Sequence, residues 1–246
     1  MQRYLALSVL GAIFISASAV ASEPSKENQL TGGAKLGFIY SKTTSSSTSL
    51  NSGVWLNYDD KPYKHSFKAS NYYTNSQDDD DGVNKYLLNY KFAYSVGENY
   101  SVFIDNEYKH DQFETYRHVF DSTVGLQRDL IDTKKTQLTI GGGPGYRYTK
   151  RQDSDKNQPG KVEEDIIANA FINGKTKLSD TLSIGGGGNV DYGESNTTYT
   201  LDGNLQNTLV ENVALVLDTQ YIYNTDVAEG KDNDEIYSTV SITYDF

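Results

Sequence analysis

Three histidines, His65, His110 and His118, carry all the imidazole chemistry open to this 246-residue chain, and with no cysteine there is no thiolate nucleophile, disulfide or thiolate metal site. His118 and Ser122 share one face of a strand, with Asp111 and Glu114 near in sequence. A hydrolase would need them within hydrogen-bond reach, but four strand residues put them about 13 Å apart at about 3.3 Å per residue. Asp153-x-Asp155-x-Asn157, with Glu164 eleven residues after Asp153, imitates a calcium loop. Gln158 occupies the position that needs glycine and Pro159 follows, so no metal site is expected, and no cofactor. Gly141, Gly143 and Gly145, and again Gly185 and Gly187, are not followed by a helix pattern, which excludes a phosphate-binding loop. Acidic residues outnumber basic ones 33 to 22, so nucleic acid is not an expected partner. The chemistry left is that of charged and polar side chains arrayed along strands.

The elements that must hold them follow from periodicity. From residue 31 onward apolar residues recur at every second position in segments of about ten residues. In the last segment Ile236, Val240, Ile242, Tyr244 and Phe246 fall on one face, and Glu235, Thr239, Ser241, Thr243 and Asp245 on the other. Twelve strands are predicted: 31–41, 47–58, 63–75, 83–95, 100–111, 116–130, 136–150, 162–176, 181–193, 196–208, 213–225 and 234–246. Short connections such as Val96-Gly97-Glu98-Asn99 and Leu178-Ser179-Asp180 alternate with mostly longer, more polar ones, including the Asp78 to Asp81 run and Arg151 to Lys161. That layout predicts an all-β, single-chain, twelve-stranded antiparallel transmembrane β-barrel with both termini on the periplasmic side.

Tyrosine, present 20 times, distinguishes a membrane barrel from a soluble sandwich. Tyr40, Tyr58, Tyr63, Tyr73, Tyr86, Tyr94, Tyr100, Tyr108, Tyr146, Tyr148, Tyr192, Tyr223 and Tyr244 fall toward strand ends on the apolar face, as two interfacial belts require. At the N-terminus Arg3, an apolar run from Tyr4 to Val20 and Ala19-Val20-Ala21 read as a cleaved signal peptide, residues 1–21, leaving 22–246 as an outer-membrane barrel. Ile242, Tyr244 and Phe246 form the terminal signal expected to engage the barrel-assembly machinery. The acidic loops are expected to make an outer rim beside lipid and lipopolysaccharide.

The opposite parity assigns the lumen. Strands one to seven point Lys35, Lys64, Lys68, Lys85, Lys91, Lys109, Arg117 and Arg147 inward with Asp105, Glu107 and Asp121. Strands eight to twelve contribute Asp165, Asp191, Asp202, Asp218, Glu235 and Asp245, with Lys175 as the main cation. The two walls therefore differ in sign, and Lys91 is expected to face Asp202. Such a field favours polar or zwitterionic solutes over apolar ones; the competing expectation is a plugged interior in which the charges neutralise one another. The glycines of strands seven and nine are expected to accept large inward neighbours such as Trp55, Tyr72 or Phe171, or to leave room for a solute.

Gly141-Gly142-Gly143-Pro144-Gly145-Tyr146-Arg147-Tyr148 resembles the signature of the salt-induced outer-membrane protein family. The likeness extends through Gly33-Ala34-Lys35-Leu36-Gly37, Lys85-Tyr86, Thr181-Leu182 and the closing Tyr221 to Phe246 hairpin. The resemblance implies a single-chain outer-membrane barrel and carries no activity with it. A weaker similarity is to the small twelve-stranded porins specific for oligogalacturonate, whose basic lumen this chain matches only in part. The function expected is a narrow passive pore for small polar solutes; the alternatives are a non-conducting structural or stress-related envelope protein and, less well supported, an outer-membrane hydrolase.

Overall fold

The computed structural model describes residues 29–42, 46–76, 83–112 and 114–246. The N-terminal targeting segment, the Asp78 to Asp81 run and the Tyr40 side chain lie outside the described residues. Twelve antiparallel strands form one closed ring: β1 (Gln29–Lys42), β2 (Ser46–Asp60), β3 (Tyr63–Ser76), β4 (Val83–Ser95), β5 (Tyr100–Asp111), β6 (Tyr116–Asp132), β7 (Thr136–Arg151), β8 (Val162–Lys177), β9 (Leu182–Tyr192), β10 (Thr198–Val210), β11 (Val213–Asn224) and β12 (Asp234–Asp245). Each pairs with its sequence neighbours, and β1 closes on β12. Antiparallel order follows from tight turns such as 61–62 and 211–212, which leave no length for a crossover.

Closure satisfies the backbone groups that an open sheet would leave unpaired, which hydrocarbon does not tolerate. The seam runs from Gly33↔Asp245 to Leu36↔Ile242, and Gly32 and Phe246 complete it by exchanging backbone hydrogen bonds at 3.0 and 2.8 Å. The last residue is thereby part of the ladder.

Strand parity separates the two faces. Along β12, Ile236, Val240, Ile242 and Tyr244 stand out from the wall, with Ile236 67% exposed, whereas Ser241 is only 1% exposed. Leu36, Leu88, Val124, Leu126, Ile166, Leu201 and Leu217 continue the outward apolar band around the ring. A contiguous surface of this kind suits hydrocarbon and not water. The band is flanked by aromatic clusters. Near the short-turn end Tyr63 packs on Tyr94 with ring centres 5.5 Å apart. Near the long-loop end Tyr86 stacks on His110 at 4.6 Å and Tyr199 meets Tyr223 at 6.2 Å.

Candidate functional site

The inward faces make a polar lumen that changes character along its length. Between the termini and turns lies a cavity of about 950 Å³, lined among others by Lys35, Trp55, Lys68, Lys175, Asp202, Gln206, Asp218 and Asp245. Above it a space of about 230 Å³ reaches Asn51, Tyr72, Lys85 and Tyr237. Nearer the loops about 70 Å³ remains among Lys85, Lys109, Asp121, Arg147, Thr198 and Glu235. The first two spaces share Lys35, Asp202 and Asp218, and the last two share Lys85, so the free volume tapers toward the loops.

Side chains that reach across the ring cause the taper. Lys85 on β4 meets Glu235 on β12 at 3.3 Å, and its ammonium lies 4.5 Å from the Tyr237 ring centre. Tyr237 donates to Glu235 at 2.6 Å and packs edge-on against Tyr72 at 5.4 Å. Arg147, 3% exposed, donates through Nε and Nη2 to both oxygens of Asp121 at 2.7 and 3.1 Å. It also pairs with Asp191 at 3.6 Å and donates to Thr198 Oγ1 and the Asn196 carbonyl. A guanidinium suits this position because its planar fork satisfies several acceptors at once. Lys109 pairs with Glu107 at 2.6 Å, and Asn169 donates to both Asn189 and Asp191 at 2.7 Å.

Outermost, Arg151 binds Asp155 at 3.0 Å and also Asp226, while Tyr116 donates to Asp226 at 2.9 Å. The backbone N–H groups of Gln158 and Asn157, together with Arg151, hold the Asp155 carboxyl below the usual carboxylate range. Glu114, lining the loop-end space, is raised above its ordinary value by burial, with Glu235 and Asp111 adding repulsion.

Of the residues expected to line the lumen, Lys35, Lys68, Lys85, Lys109, Asp121, Arg147, Lys175, Asp202, Asp218, Glu235 and Asp245 border these spaces, whereas Arg117 does not. A register shift between Tyr116 and His118 gives Tyr116 the inward position and leaves Arg117 paired with Asp153 of the following loop at 3.1 Å. A bulge of one residue is invisible to strict alternation. Lys64 and Asp165 are half-buried on the inner face, where Asp165 accepts from Ser195 N–H at 3.1 Å and from its hydroxyl. Asp105 accepts from Asn89 at 2.7 Å.

The expected pairing of Lys91 with Asp202 gives way to another arrangement. Lys91 lies 4.4 Å from the ring centres of both Phe103 and Phe171, a cation–π site, while the lysine that shares a cavity with Asp202 without pairing elsewhere among the described residues is Lys68. The phenyl rings fit because the wall beneath them lacks side chains: a methyl group on Gly141 would come within 2.6 Å of Phe171, and one on Gly125 within 2.8 Å of Phe103. Trp55 lies over Gly33 in the same way, so glycine serves packing at these positions. Gly185 and Gly186, by contrast, border the large cavity. Phe103 and Gly125 went unnoticed in the sequence, although one inward phenylalanine opposite one inward glycine on paired strands was the available signal.

His118 Nδ1 meets the Tyr108 hydroxyl at 2.8 Å on the outer face, whereas Ser122 donates to Asn106 at 2.9 Å. Each has a partner, and they are not joined. Asp153 pairs with Arg117 and Lys150 and Asp155 with Arg151, so the calcium-like spacing serves ion pairs. Among the described residues no group of three His, Asp or Glu side chains converges to hold a metal ion.

Solved structures with the same architecture include the COG4313 outer membrane channel from Pseudomonas putida F1, at a TM-score of 0.51 and 10% identity, covering 91% of this chain and 97% of that one. The NanC porin aligns at 0.48 and 14% identity over 88% and 98%, and the KdgM porin at 0.44 and 9% over 88% and 99%. At these identities the likeness concerns the fold alone. No curated protein matches the sequence. The sequence does match, over residues 34–246, the family described as "Protein of unknown function, DUF481", and the chain belongs to that family.

Proposed function

We propose that the protein is an outer-membrane barrel acting as a narrow passive pore for small polar solutes, with its turns and both termini in the periplasm. The observation that carries this reading is the lumen itself: three spaces of about 950, 230 and 70 Å³ that share lining residues and are walled by charged and amide side chains. Twelve strands fall between the eight whose interior side chains fill and the sixteen to eighteen that leave a clear channel. Flux is then set by the narrowest level, where Lys85 and Glu235 cross.

The exposed apolar band and its aromatic flanks support insertion in the outer membrane, with lipid and lipopolysaccharide as surroundings. Residues 1–21 serve as the export signal in this reading, and Ile242, Tyr244 and Phe246 as the handle for the assembly machinery. The likeness of the Gly141 to Tyr148 segment to the salt-induced outer-membrane protein family supports an envelope role. A hydrolase finds no support, since His118 and Ser122 have separate partners.

Planar-bilayer recording of the refolded protein tests the pore. Small, cleanly resolved current steps are expected, and their absence at every voltage overturns it. The second reading, a non-conducting envelope protein, draws on the dense Arg147 and Lys85 networks, and that absence is the result it requires.

A further inference from the structure

Six charged residues line the turn-end cavity, and four of them are tied to other side chains. Lys35 pairs with Asp218 at 3.4 Å. Lys175 donates to Gln206 Oε1 at 3.2 Å, and Gln206 donates in turn to Asp245 at 3.1 Å. Lys68 and Asp202 differ. Both are exposed to the cavity, and among the described residues neither makes an ion pair. They stand on β3 and β10, five steps apart around a ring of twelve, more than 4 Å from each other and both bordering the same cavity.

Each is built into the wall. Asp202 stands beside its cross-strand partner Gly187, where the missing side chain leaves the carboxylate room. Lys68 is the cross-strand partner of Trp55, whose ring lies over Gly33. The other charges around Lys68 are engaged: Lys91 by its two phenyl rings and Asp105 by Asn89.

We infer that the turn-end cavity is a binding site for small zwitterions, which place a carboxylate on Lys68, an ammonium on Asp202 and their apolar stem beside Trp55. An anion alone satisfies Lys68 but is repelled by Asp202; a cation alone meets the reverse. A molecule carrying both charges completes both walls and lies along the field between them. This goes beyond the pore reading, because occupation from the turn end does not require passage through the loop-end constriction.

Trp55 is the sole tryptophan in the chain, so its fluorescence reports occupancy directly. The refolded protein is titrated with ω-amino acids of increasing length, from glycine through 4-aminobutyrate to 6-aminohexanoate, and with butyrate and butylammonium as singly charged controls. A saturable emission change is expected for one length of zwitterion, with the singly charged controls binding about tenfold more weakly. K68Q and D202N should each weaken zwitterion binding by about tenfold. The exchanged variant K68D/D202K should recover it, which separates lost binding from lost folding. No saturable change with any zwitterion, an equal response to the controls, or indifference to both single substitutions overturns the site. Bilayer recording remains the independent test of the pore: a protein without current steps that still binds zwitterions keeps this site and loses passage.

Discussion

The loop-end and turn-end halves of the lumen are made from the same kinds of residue, yet one is nearly solid and the other holds about 950 Å³. The difference is in reach. Toward the loops Arg147 and Lys85 extend to carboxylates on other strands and Lys109 pairs with Glu107 on its own, so their charges neutralise at contact distance. Toward the turns the inner wall is cut back at Gly53 and Gly185, and Lys68 and Asp202 do not touch. A net-neutral ring of charges is therefore a plug or a field, depending on whether the partners meet.

The loop-end half is disrupted most severely at Arg147. Arg147→Met leaves Asp121 and Asp191 without their cation in a buried setting and should cost about 3–5 kcal/mol, read from the urea unfolding of the refolded barrel. Lys175→Ala in the roomy half should stay within about 0.5 kcal/mol; equal losses at the two sites would mean the halves do not differ as described.

Between the halves, Gly141→Val forces a side chain into Phe171 and should cost about 1–3 kcal/mol. Combining it with Phe171→Ala should cost less than the two changes summed, since both act on one space. Simple additivity in the unfolding data would show that the ring is not seated on the glycine.

Lys85→Met is expected to reduce stability by only about 1 kcal/mol, because Glu235 keeps the Tyr237 hydroxyl. Its effect should appear in the current, with single-channel conductance rising as the crossing is lost. Unchanged conductance would place the bottleneck elsewhere. The smallest effect concerns pH. The Asp155 carboxyl is held below its ordinary range, so its anchoring of residues 152–161 is fully present above about pH 4, and is lost only as pH falls through the lowered value. Limited proteolysis at stepwise lower pH should find that loop protected through the ordinary carboxylate range. Cleavage that begins at mildly acidic pH would contradict the anchoring.

Much of this architecture is legible in the sequence. Alternation in β12 separates Ser241 from Val240 and Ile242 because a strand turns each successive residue to the opposite side, and the twelve predicted strands agree with those observed within a few residues. The expected lumen residues came from the same rule, and a bulge between Tyr116 and His118 interrupts the count at Arg117. The closed ring, too, was expected, since alternation without an apolar core leaves the strands no other way to pair their edges.

Partnership was not legible. Parity gives the direction in which Lys91 points but not its height relative to strands far around the ring, and the stagger of a closed barrel decides which levels meet. Lys91 therefore lies between Phe103 and Phe171 while Lys68 and Asp202 border one cavity, and Lys85 finds Glu235 from 150 residues away. Sequence fixes which solvent each side chain sees, because that depends on a period of two along one strand. Which charges touch depends on tilt and closure over all twelve strands at once, and only the folded barrel decides it.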